Sequence, residues 1–550
     1  MPPGELRARW KLDGNLNDAD GVLPGTGDNI VFVDGPDNQP CGAALFNGVD
    51  SRLVIPDHPR LRLGSGDFTI ACRLSPAGDM RNVFGDILAK FDPEHRTGFT
   101  LSMQGSAPAY SGMSDTPYLY FGVDDGYLGT IQDHGRPAAD NALVSTLAVH
   151  QDDLYCGIAD ATAPDRAARV YRWRGDRQWE DCGRLGADPT VRSVMSLLVH
   201  RDQLYAGTGV WDWVKCFDRD TPTGPTHVFR YQGGAEWEDL GQVGHGTRVL
   251  CLASFDGALY AGIDAVGGGQ CCRYDGRTWR TCGSPDGRNL ECLLPFGGAL
   301  HAATHGRIYR YDGGAGWTRI GNEPHGITQI HSMAVYDGAL IVGSWPQGYV
   351  LRYAGGDAWE IIGRLGLEPG RHPCNEVMDL LVHNGKLYAG VIPKAQLYRY
   401  ESDGHWTLLH SLAGRPDWDE QATESWCRIT ALTSFRGSLF AATGSCRGRT
   451  EDLDPDGLLG RVVSLQAGWM TACERRLDAA WLDVVAQRRG DRLSLYVNGE
   501  RMSGSDRPGA NPFHLDNACD LTIGRGPQGS FYGRIADVRI YAGAIDPAAA

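Results

Sequence analysis

One motif recurs seven times between about residues 143 and 445, and it constrains the fold more than any other feature of the chain. Each copy is an apolar strand, a turn at Asp-Gly or an equivalent pair, and a second strand of the Leu-Tyr-Ala-Gly type. A short unit of this kind cannot bury both its faces alone, so the copies must stack on one another. The copies end at Gly157, Gly207, Gly262, Ala303, Gly343, Gly390 and Ala442.

A second pair of strands and a tryptophan follow each of the first six copies. The repeat is therefore four short strands at intervals of about 40 to 55 residues, which is the period of propeller blades. We expect a seven-bladed β-propeller whose recurring Trp and Arg residues serve the fold, the Arg side chains by pairing with neighbouring carboxylates. The tryptophans are Trp179, Trp237, Trp279, Trp317, Trp359 and Trp406, and the arginines are Arg172, Arg230, Arg273, Arg310, Arg352 and Arg399.

The seventh copy lacks an obvious second pair directly behind it. Two segments compete for that place, 119–137 before the repeats and 460–473 after them. We favour the first, which would close the ring with strands from both ends of the insert. The placement of Gly, Tyr and Trp in the repeats resembles kelch-like propellers, although the double glycine of that family is not regular here.

The head and tail of the chain carry a different pattern. FNGVDS at 46–51, LYVNG at 495–499 and GRIADVRIY at 533–541 resemble the concanavalin A-like, laminin G-like jelly-roll family. Either half alone would leave an open apolar sheet edge, so we expect the two to pair across the insertion. The predicted fold is all-β, with the jelly roll at 1–116 and 460–550 and the propeller at 117–459.

Charge and composition limit the classes of partner and the cellular location that we expect for the chain. The net charge of -15 would repel a phosphate backbone, which excludes nucleic acid as a partner. No stretch is apolar enough for membrane insertion, and no signal peptide is evident, so we expect a cytoplasmic location, or an extracellular one if another route exports the chain. The fifteen Cys are scattered and odd in number, which favours free thiols acting as small core residues.

Residues that break the repeat are the candidates for function. A first set follows the Leu-Tyr-Ala-Gly strands at one rim of the ring. Aromatic rings beside carboxylates form the kind of surface that binds sugars, because a pyranose has an apolar face and a rim of hydroxyls. The alternative is that the tryptophans of this set pack the loops or the jelly roll. The set comprises Asp160, Trp211, Trp213, Asp264, His305, Trp345, Lys394 and Arg447.

A second set lies on the innermost strands. Equivalent positions hold Glu291 and His331 in adjacent copies, where the other copies hold Ser, Met, Leu or Thr. A carboxylate and an imidazole that face the channel form either an acid and base pair or a buried salt bridge.

Calcium is the one cofactor that the sequence suggests. EDLDPDG places Asp452, Asp454 and Asp456 as in a calcium loop, but the twelfth position is Val463 in place of Glu, and an acidic linker is the alternative. The jelly-roll resemblance implicates Asp537 as a further calcium ligand.

These features predict a lectin-like protein that binds a glycan or polysaccharide through the propeller rim, the jelly-roll face or both. One alternative is a glycoside hydrolase or polysaccharide lyase with its site at the propeller channel, although the chain has no recognised catalytic motif. The other is a scaffold that binds a protein on the rim.

Overall fold

The computed structural model describes residues 4–79, 81–82, 84–105, 113–138, 143–159, 166–210, 226–265, 267–324, 326–369, 374–413, 427–445, 458–477 and 481–549. Within these residues the chain is built from strands, with short 3-10 helices at Pro36–Asn38, Pro59–Leu61 and Pro547–Ala549 and no α-helix. The strands that precede the propeller are β1 (Glu5–Trp10), β2 (Thr26–Asp28), β3 (Val31–Val33), β4 (Ala43–Asn47), β5 (Arg52–Ile55), β6 (Phe68–Pro76), β7 (Asp86–Asp92), β8 (Thr97–Gln104) and β9 (Tyr118–Leu128).

The propeller begins with a short strand, β10 (Gln132–Asp133), and continues as the repeats. Blades 1 to 3 are β11 (Leu143–His150), β12 (Asp153–Ala159), β13 (Arg169–Gly175) and β14 (Gln178–Arg184); β15 (Ser193–His200), β16 (Gln203–Gly209), β17 (His227–Gly233) and β18 (Glu236–Gln242); and β19 (Arg248–Phe255), β20 (Ala258–Asp264), β21 (Gln270–Tyr274) and β22 (Trp279–Thr281).

Blades 4 to 6 have the same four-stranded antiparallel order. They are β23 (Leu290–Phe296), β24 (Ala299–Thr304), β25 (Ile308–Gly313) and β26 (Gly316–Arg319); β27 (Gln329–Tyr336), β28 (Ala339–Trp345), β29 (Tyr349–Gly355) and β30 (Ala358–Arg364); and β31 (Glu376–His383), β32 (Lys386–Ile392), β33 (Gln396–Ser402) and β34 (His405–Ser411).

The seventh blade takes one strand from each of the two competing segments. Its inner strands are β35 (Cys427–Phe435) and β36 (Ser438–Ser445), and β36 pairs with β37 (Val462–Leu465). The outermost strand is β10, which pairs with β37. In the described part of the chain the first strands of seven blades contact one another in sequence, and β35 returns to contact β11, so the ring is closed. The predicted seven-bladed propeller is confirmed.

The head and tail of the chain form one sandwich of two sheets, as predicted. After the propeller come β38 (Ala467–Cys473), β39 (Leu482–Arg489), β40 (Arg492–Val497), β41 (Glu500–Asp506), β42 (Leu521–Ile523), β43 (Arg525–Gly526), β44 (Gly529–Ser530) and β45 (Tyr532–Ala542). One sheet has the order β3-β4-β45-β6-β39-β40-β41, with β1 also on β45, and the other has β2-β5-β42-β7-β8-β9-β38. Both sheets mix strands from the two ends, which bury Trp10, Phe46, Phe68, Phe121 and Trp469 between them.

The crossing between the two units divides both competing segments. Strand β9 pairs with β38 inside the sandwich. Strand β10, which follows β9 in the chain, pairs in blade 7 with β37, which precedes β38. The chain therefore leaves the sandwich after Leu128 and returns to it at Ala467.

The recurring side chains hold neighbouring strands and blades together. The indole nitrogen of Trp237 donates a hydrogen bond to the Cys182 carbonyl of the preceding blade at 2.8 Å, and Trp406 does the same to Ile362 at 2.9 Å. Arg230 binds the carboxylate of Glu238 on the adjacent strand. The expected structural roles of the Trp and Arg series are confirmed at these positions.

The sandwich covers one face of the propeller. Each blade contacts it through the turn between its first and second strands. The contacts are Asp152 N to Glu474 O (3.2 Å), Arg201 N to Asp115 (2.7 Å), Asp256 to Arg81 (3.1 Å), Gly298 N to Asn82 (2.7 Å), Asp337 N to Pro527 O (2.8 Å), Asn384 to Val123 O (3.3 Å) and Arg436 N to Glu474 (2.9 Å). We call the opposite face, where the first strands begin and the second strands end, the distal face.

Candidate functional site

The distal face carries those predicted rim residues that the structure describes. Asp264 and Trp345 are the last residues of their second strands, His305 comes directly after one, and Lys394 follows the second strand of blade 6. Trp345 and Lys394 are half-buried. Because these second strands run away from the sandwich, the residues that follow them lie on the face that the sandwich leaves uncovered. Asp160, Trp211, Trp213 and Arg447, together with Asp452, Asp454 and Asp456, lie outside the described residues.

Four of the predicted residues belong to one group of buried charges near the axis, which we call the axial network: Arg248, Asp264, Glu291, His305, His331 and Glu376. The two oxygens of Glu291 contact two imidazoles, His305 Nε2 at 2.5 Å and His331 Nδ1 at 3.2 Å. These contacts join two residues predicted for catalysis to one predicted for ligand binding.

The network continues into blade 6. His331 Nε2 lies 2.7 Å from the Glu376 carboxylate and 2.9 Å from the side-chain oxygen of Gln329. One imidazole therefore bridges two carboxylates that come from the blades on either side of its own. Both carboxylates and the ring are about 99 to 100% buried, with exposures of 1% for each Glu and 0% for His331.

Burial and charge oppose each other in the network. Burial disfavours the imidazolium form of His331, but Glu376 and Glu291 outweigh it and raise the pKa of His331 to about 10. Burial likewise disfavours a charged Glu291, yet His331 and His305 hold the pKa of that carboxyl well below its usual value. At neutral pH Glu291 is therefore a carboxylate and His331 an imidazolium ion.

A second ion pair lies in blade 3. Arg248 Nε is 2.5 Å from Asp264, and both residues are 1% exposed. Asp264 therefore serves as the partner of a buried guanidinium, which makes it unsuitable as the exposed ligand contact that the sequence predicted. His305 is the member with the greatest access to solvent, with a quarter of its side chain exposed.

The axial network is a set of buried ion pairs that connects neighbouring blades. Each carboxylate of Glu291 and Glu376 is occupied by an imidazole, so neither is presented to a substrate. This geometry corresponds to the salt-bridge alternative, and a catalytic role for Glu291 and His331 stays a prediction. Sequence reasoning missed Arg248, Gln329 and Glu376, although the strand period of two places Gln329 on the same side as His331.

A separate cleft lies between the sandwich and blades 5 and 6. Its volume is about 540 Å³. The sandwich contributes Phe91, Glu94 and Asp520, and the propeller contributes Tyr336 and Tyr400 among its aromatic and aliphatic wall. The two tyrosine rings meet edge to face with centroids 5.7 Å apart. The cleft thus joins an aromatic wall to carboxylates from a different unit.

The charged residues of the cleft differ in whether they are already paired. Arg352 binds Glu360 at 2.7 Å and Asp403 at 2.8 Å, so two carboxylates neutralise it. Glu401 is paired with Arg399 at 2.7 Å and with the buried Lys386 at 3.3 Å.

Two acidic residues on the sandwich side of the cleft have no such neighbours. Glu94 and Asp520 are exposed, and neither forms an ion pair with any residue that the structure describes. The Asp520 carboxylate accepts a hydrogen bond from Asp57 N at 3.1 Å. Both groups are therefore available to a ligand that donates hydrogen bonds.

The Asp537 carboxylate lies beside cationic groups. It contacts Arg9 at 2.7 Å and Arg539 at 3.5 Å. Two guanidinium groups already satisfy it, so its surroundings offer a calcium ion no cluster of oxygen ligands. Across the described ranges, no group of three or more His, Cys, Asp or Glu side chains is placed to hold a metal ion.

Comparison with known proteins supports the sandwich assignment. Residues 411–549 match the family model for the Concanavalin A-like lectin/glucanases superfamily. This stretch includes β38–β45 of the sandwich. The chain is thus an all-β protein in which a seven-bladed propeller is inserted into a two-sheet sandwich, and the C-terminal part of that sandwich is similar to this superfamily.

Several solved structures match parts of this chain at low sequence identity. A catalytically inactive virginiamycin B lyase from Staphylococcus aureus is 11% identical over 61% of this chain and 99% of its own, with a TM-score of 0.43. YCF48 from Cyanidioschyzon merolae is 11% identical over 62% of this chain and 99% of its own, with a TM-score of 0.41. The extracellular domain of a putative one component system from B. thetaiotaomicron is 14% identical over 70% of this chain and 48% of its own, with a TM-score of 0.42.

No curated protein matches the chain. Among the described residues, none of the helices has the length and apolar character needed to span a bilayer.

Proposed function

We propose that the protein binds a carbohydrate in the cleft between the sandwich and blades 5 and 6. The observation that carries this proposal is a cavity of about 540 Å³ in which Tyr336, Tyr400 and Phe91 lie beside the carboxylates of Glu94 and Asp520. Aromatic rings cover the apolar face of a pyranose, and carboxylates accept hydrogen bonds from its hydroxyls. A volume of several hundred Å³ suits a short oligosaccharide.

The superfamily match supports the same class of ligand, because the concanavalin A-like superfamily is named for lectins and glucanases. A hydrolase or lyase at the propeller channel finds less support. It would need carboxylates that reach a substrate, and Glu291 and Glu376 are each 1% exposed and bound to His331. We therefore propose binding without turnover, with Trp345 and Lys394 on the distal face as a further predicted contact surface.

The test begins with the full chain on a glycan array, once with calcium and once with EDTA, and continues with titration calorimetry of any oligosaccharide that binds. The informative variant is Tyr400→Ala. Its matched control is Tyr231→Ala in blade 2. Both tyrosines contact a tryptophan of their own blade, with centroids 5.2 and 4.8 Å apart, and both meet a tyrosine of the preceding blade at 5.7 Å. Tyr400 lines the cleft and Tyr231 does not.

We expect Tyr400→Ala to weaken binding about tenfold, the equivalent of roughly 1.4 kcal/mol, while Tyr231→Ala binds like the parent. Equal losses in the two variants would place the site elsewhere and refute the proposal. If the parent binds no glycan on the array, the proposal of carbohydrate binding is refuted. Cleavage of a bound oligosaccharide during incubation would show an enzyme in place of a lectin.

A further inference from the structure

The charge of the cleft selects among carbohydrates. Lys386 lies behind the wall, fully buried, where it binds Glu401 and the carbonyl of Pro93. Arg352 faces two carboxylates, as described above. Among the described residues that line the cleft, no cationic group therefore remains to receive an anionic ligand.

Three carboxylates stand at the rim of the same cavity. Glu94 and Asp520 come from the sandwich and Asp337 comes from the turn of blade 5. Three quarters of the Asp337 side chain is exposed (76%), and Arg525 is 3.6 Å away from it. Glu94 and Asp520 therefore bring two carboxylates without ion-pair partners to the described lining of the cavity, and the overall charge of -15 adds to their field.

We propose that the cleft is selective for glycans that carry free amino groups, such as oligomers of glucosamine, and rejects glycans rich in uronic acid or sulfate. This inference rests on the proposed function, since it specifies the ligand class of the same site. The aromatic wall stacks on the sugar ring, and an ammonium group on the ring edge reaches Glu94 or Asp520. A carboxylate or sulfate group in that place is repelled.

The experiment compares four hexasaccharides by titration calorimetry at about pH 5.5, where amines are protonated and exposed carboxylates are ionised. They are glucosamine hexamer, its N-acetylated counterpart, a uronic-acid hexamer and a sulfated hexamer. The test variant is Glu94→Gln with Asp520→Asn. The control is Glu236→Gln with Asp176→Asn, which removes the same two charges from exposed positions in blades 2 and 1.

The loss of two exposed ion pairs should make the test variant bind glucosamine hexamer about 2- to 30-fold more weakly. The control should bind it like the parent, and the N-acetylated hexamer should bind parent, test variant and control alike. Added salt should reduce the preference for the amino form, because it screens exposed charges.

Two failures are distinguishable. If the N-acetylated, uronic or sulfated hexamer binds the parent as tightly as the amino form, or if the test variant behaves like its control, the selectivity inference is wrong while carbohydrate binding stands. If none of the hexamers binds and Tyr400→Ala has no effect on any ligand found on the array, the proposed function fails and the inference fails with it.

Discussion

Replacing His331 with Met tests whether the ion pairs of the axial network stabilise the folded propeller. His331 lies between Glu291 and Glu376 with contacts of 3.2 and 2.7 Å, and it is completely buried. Removing one partner of a buried ion pair costs about 3 to 5 kcal/mol, because the remaining charges lose their counter-ion without regaining water. Met is the residue that blade 2 carries at the equivalent position, Met195, so the substitution introduces no foreign shape.

A triple variant separates the contribution of the ion pairs to stability from the contribution of side-chain packing. Glu291→Leu, His331→Met and Glu376→Leu together install what Leu250, Met195 and Leu143 provide at the equivalent positions of blades 3, 2 and 1. The triple variant removes the charges of Glu291, His331 and Glu376 together and leaves His305, a quarter of whose side chain is exposed. Replacing buried ion pairs by apolar groups is often neutral or stabilising. We therefore expect the triple variant to be more stable than His331→Met alone.

The assay is urea unfolding monitored by tryptophan fluorescence, with Met195→Leu as the control for a change of shape at the axis. The reasoning is refuted if His331→Met loses no more stability than Met195→Leu, or if the triple variant is less stable than the single one.

The same group predicts a pH dependence. The pKa of His331 is about 10 in the folded chain and near 6.5 when unfolded. A raised imidazole pKa contributes stability that is complete below the unfolded value and is lost as the pH rises through the folded one. Between about pH 7 and 10 the parent should lose stability through this group, by a few kcal/mol at most, and His331→Met should lack that component.

Two remaining predictions concern buried acids and the sandwich contact. Burial raises the pKa of Asp86 and of Glu474 to about 8, so the folded chain keeps protons that the unfolded chain releases near pH 4, and stability falls as the pH rises from about 4 to 8. Asp86→Asn and Glu474→Gln should flatten that fall in urea titrations at several pH values, and an unchanged slope would contradict it. Gly437 and Gly257 occupy the same turn position with φ of +80° and +68°, but a Cβ at Gly437 would overlap the carbonyl oxygen of Met470. Gly437→Ala should therefore lower the melting temperature more than Gly257→Ala, and equal shifts would argue against a tight contact with the sandwich.

The fold was predictable because its signals are periodic. Each Leu-Tyr-Ala-Gly strand repeats a pattern of packing that only stacking satisfies, and the FNGVDS and GRIADVRIY segments mark the two ends of one sandwich. Closure of blade 7 was harder to predict. Strands β10 and β37 are two and four residues long, too short to show a pattern, and each continues directly from a segment that belongs to the sandwich.

The axial residues were predictable in part. Glu291 and His331 stand out because other blades hold apolar or small residues at the same position. Arg248 and Glu376 occupy a position whose occupants range from Leu143 in blade 1 to Arg428 in blade 7, so there was no regular pattern for them to break.

The cleft was not predictable from the repeats. Tyr400 belongs to a recurring series with Tyr231, and recurrence favours a structural role, as it does for the Trp and Arg series. The two tyrosines have equivalent aromatic neighbours within the propeller. Tyr400 differs because it lines a cleft whose opposite wall is formed by Phe91 and Glu94 of the sandwich. These residues are more than 300 positions away in the sequence, so their proximity leaves no pattern in either local segment.

The insertion of one unit into the other therefore creates the proposed site. All seven first turns of the propeller contact the sandwich, and strands β7 and β42 of its second sheet line the cleft with blades 5 and 6. Neither unit contains the cleft by itself. Tyr336 and Tyr400 of its aromatic wall belong to the propeller, whereas the unpaired acids Glu94 and Asp520 belong to the sandwich. A ligand held between them contacts both units and stabilises their contact by an amount that grows with the logarithm of the ligand concentration divided by its Kd. Binding at this cleft should consequently raise the stability of the contact between the units, whereas binding at the distal face would leave it unchanged.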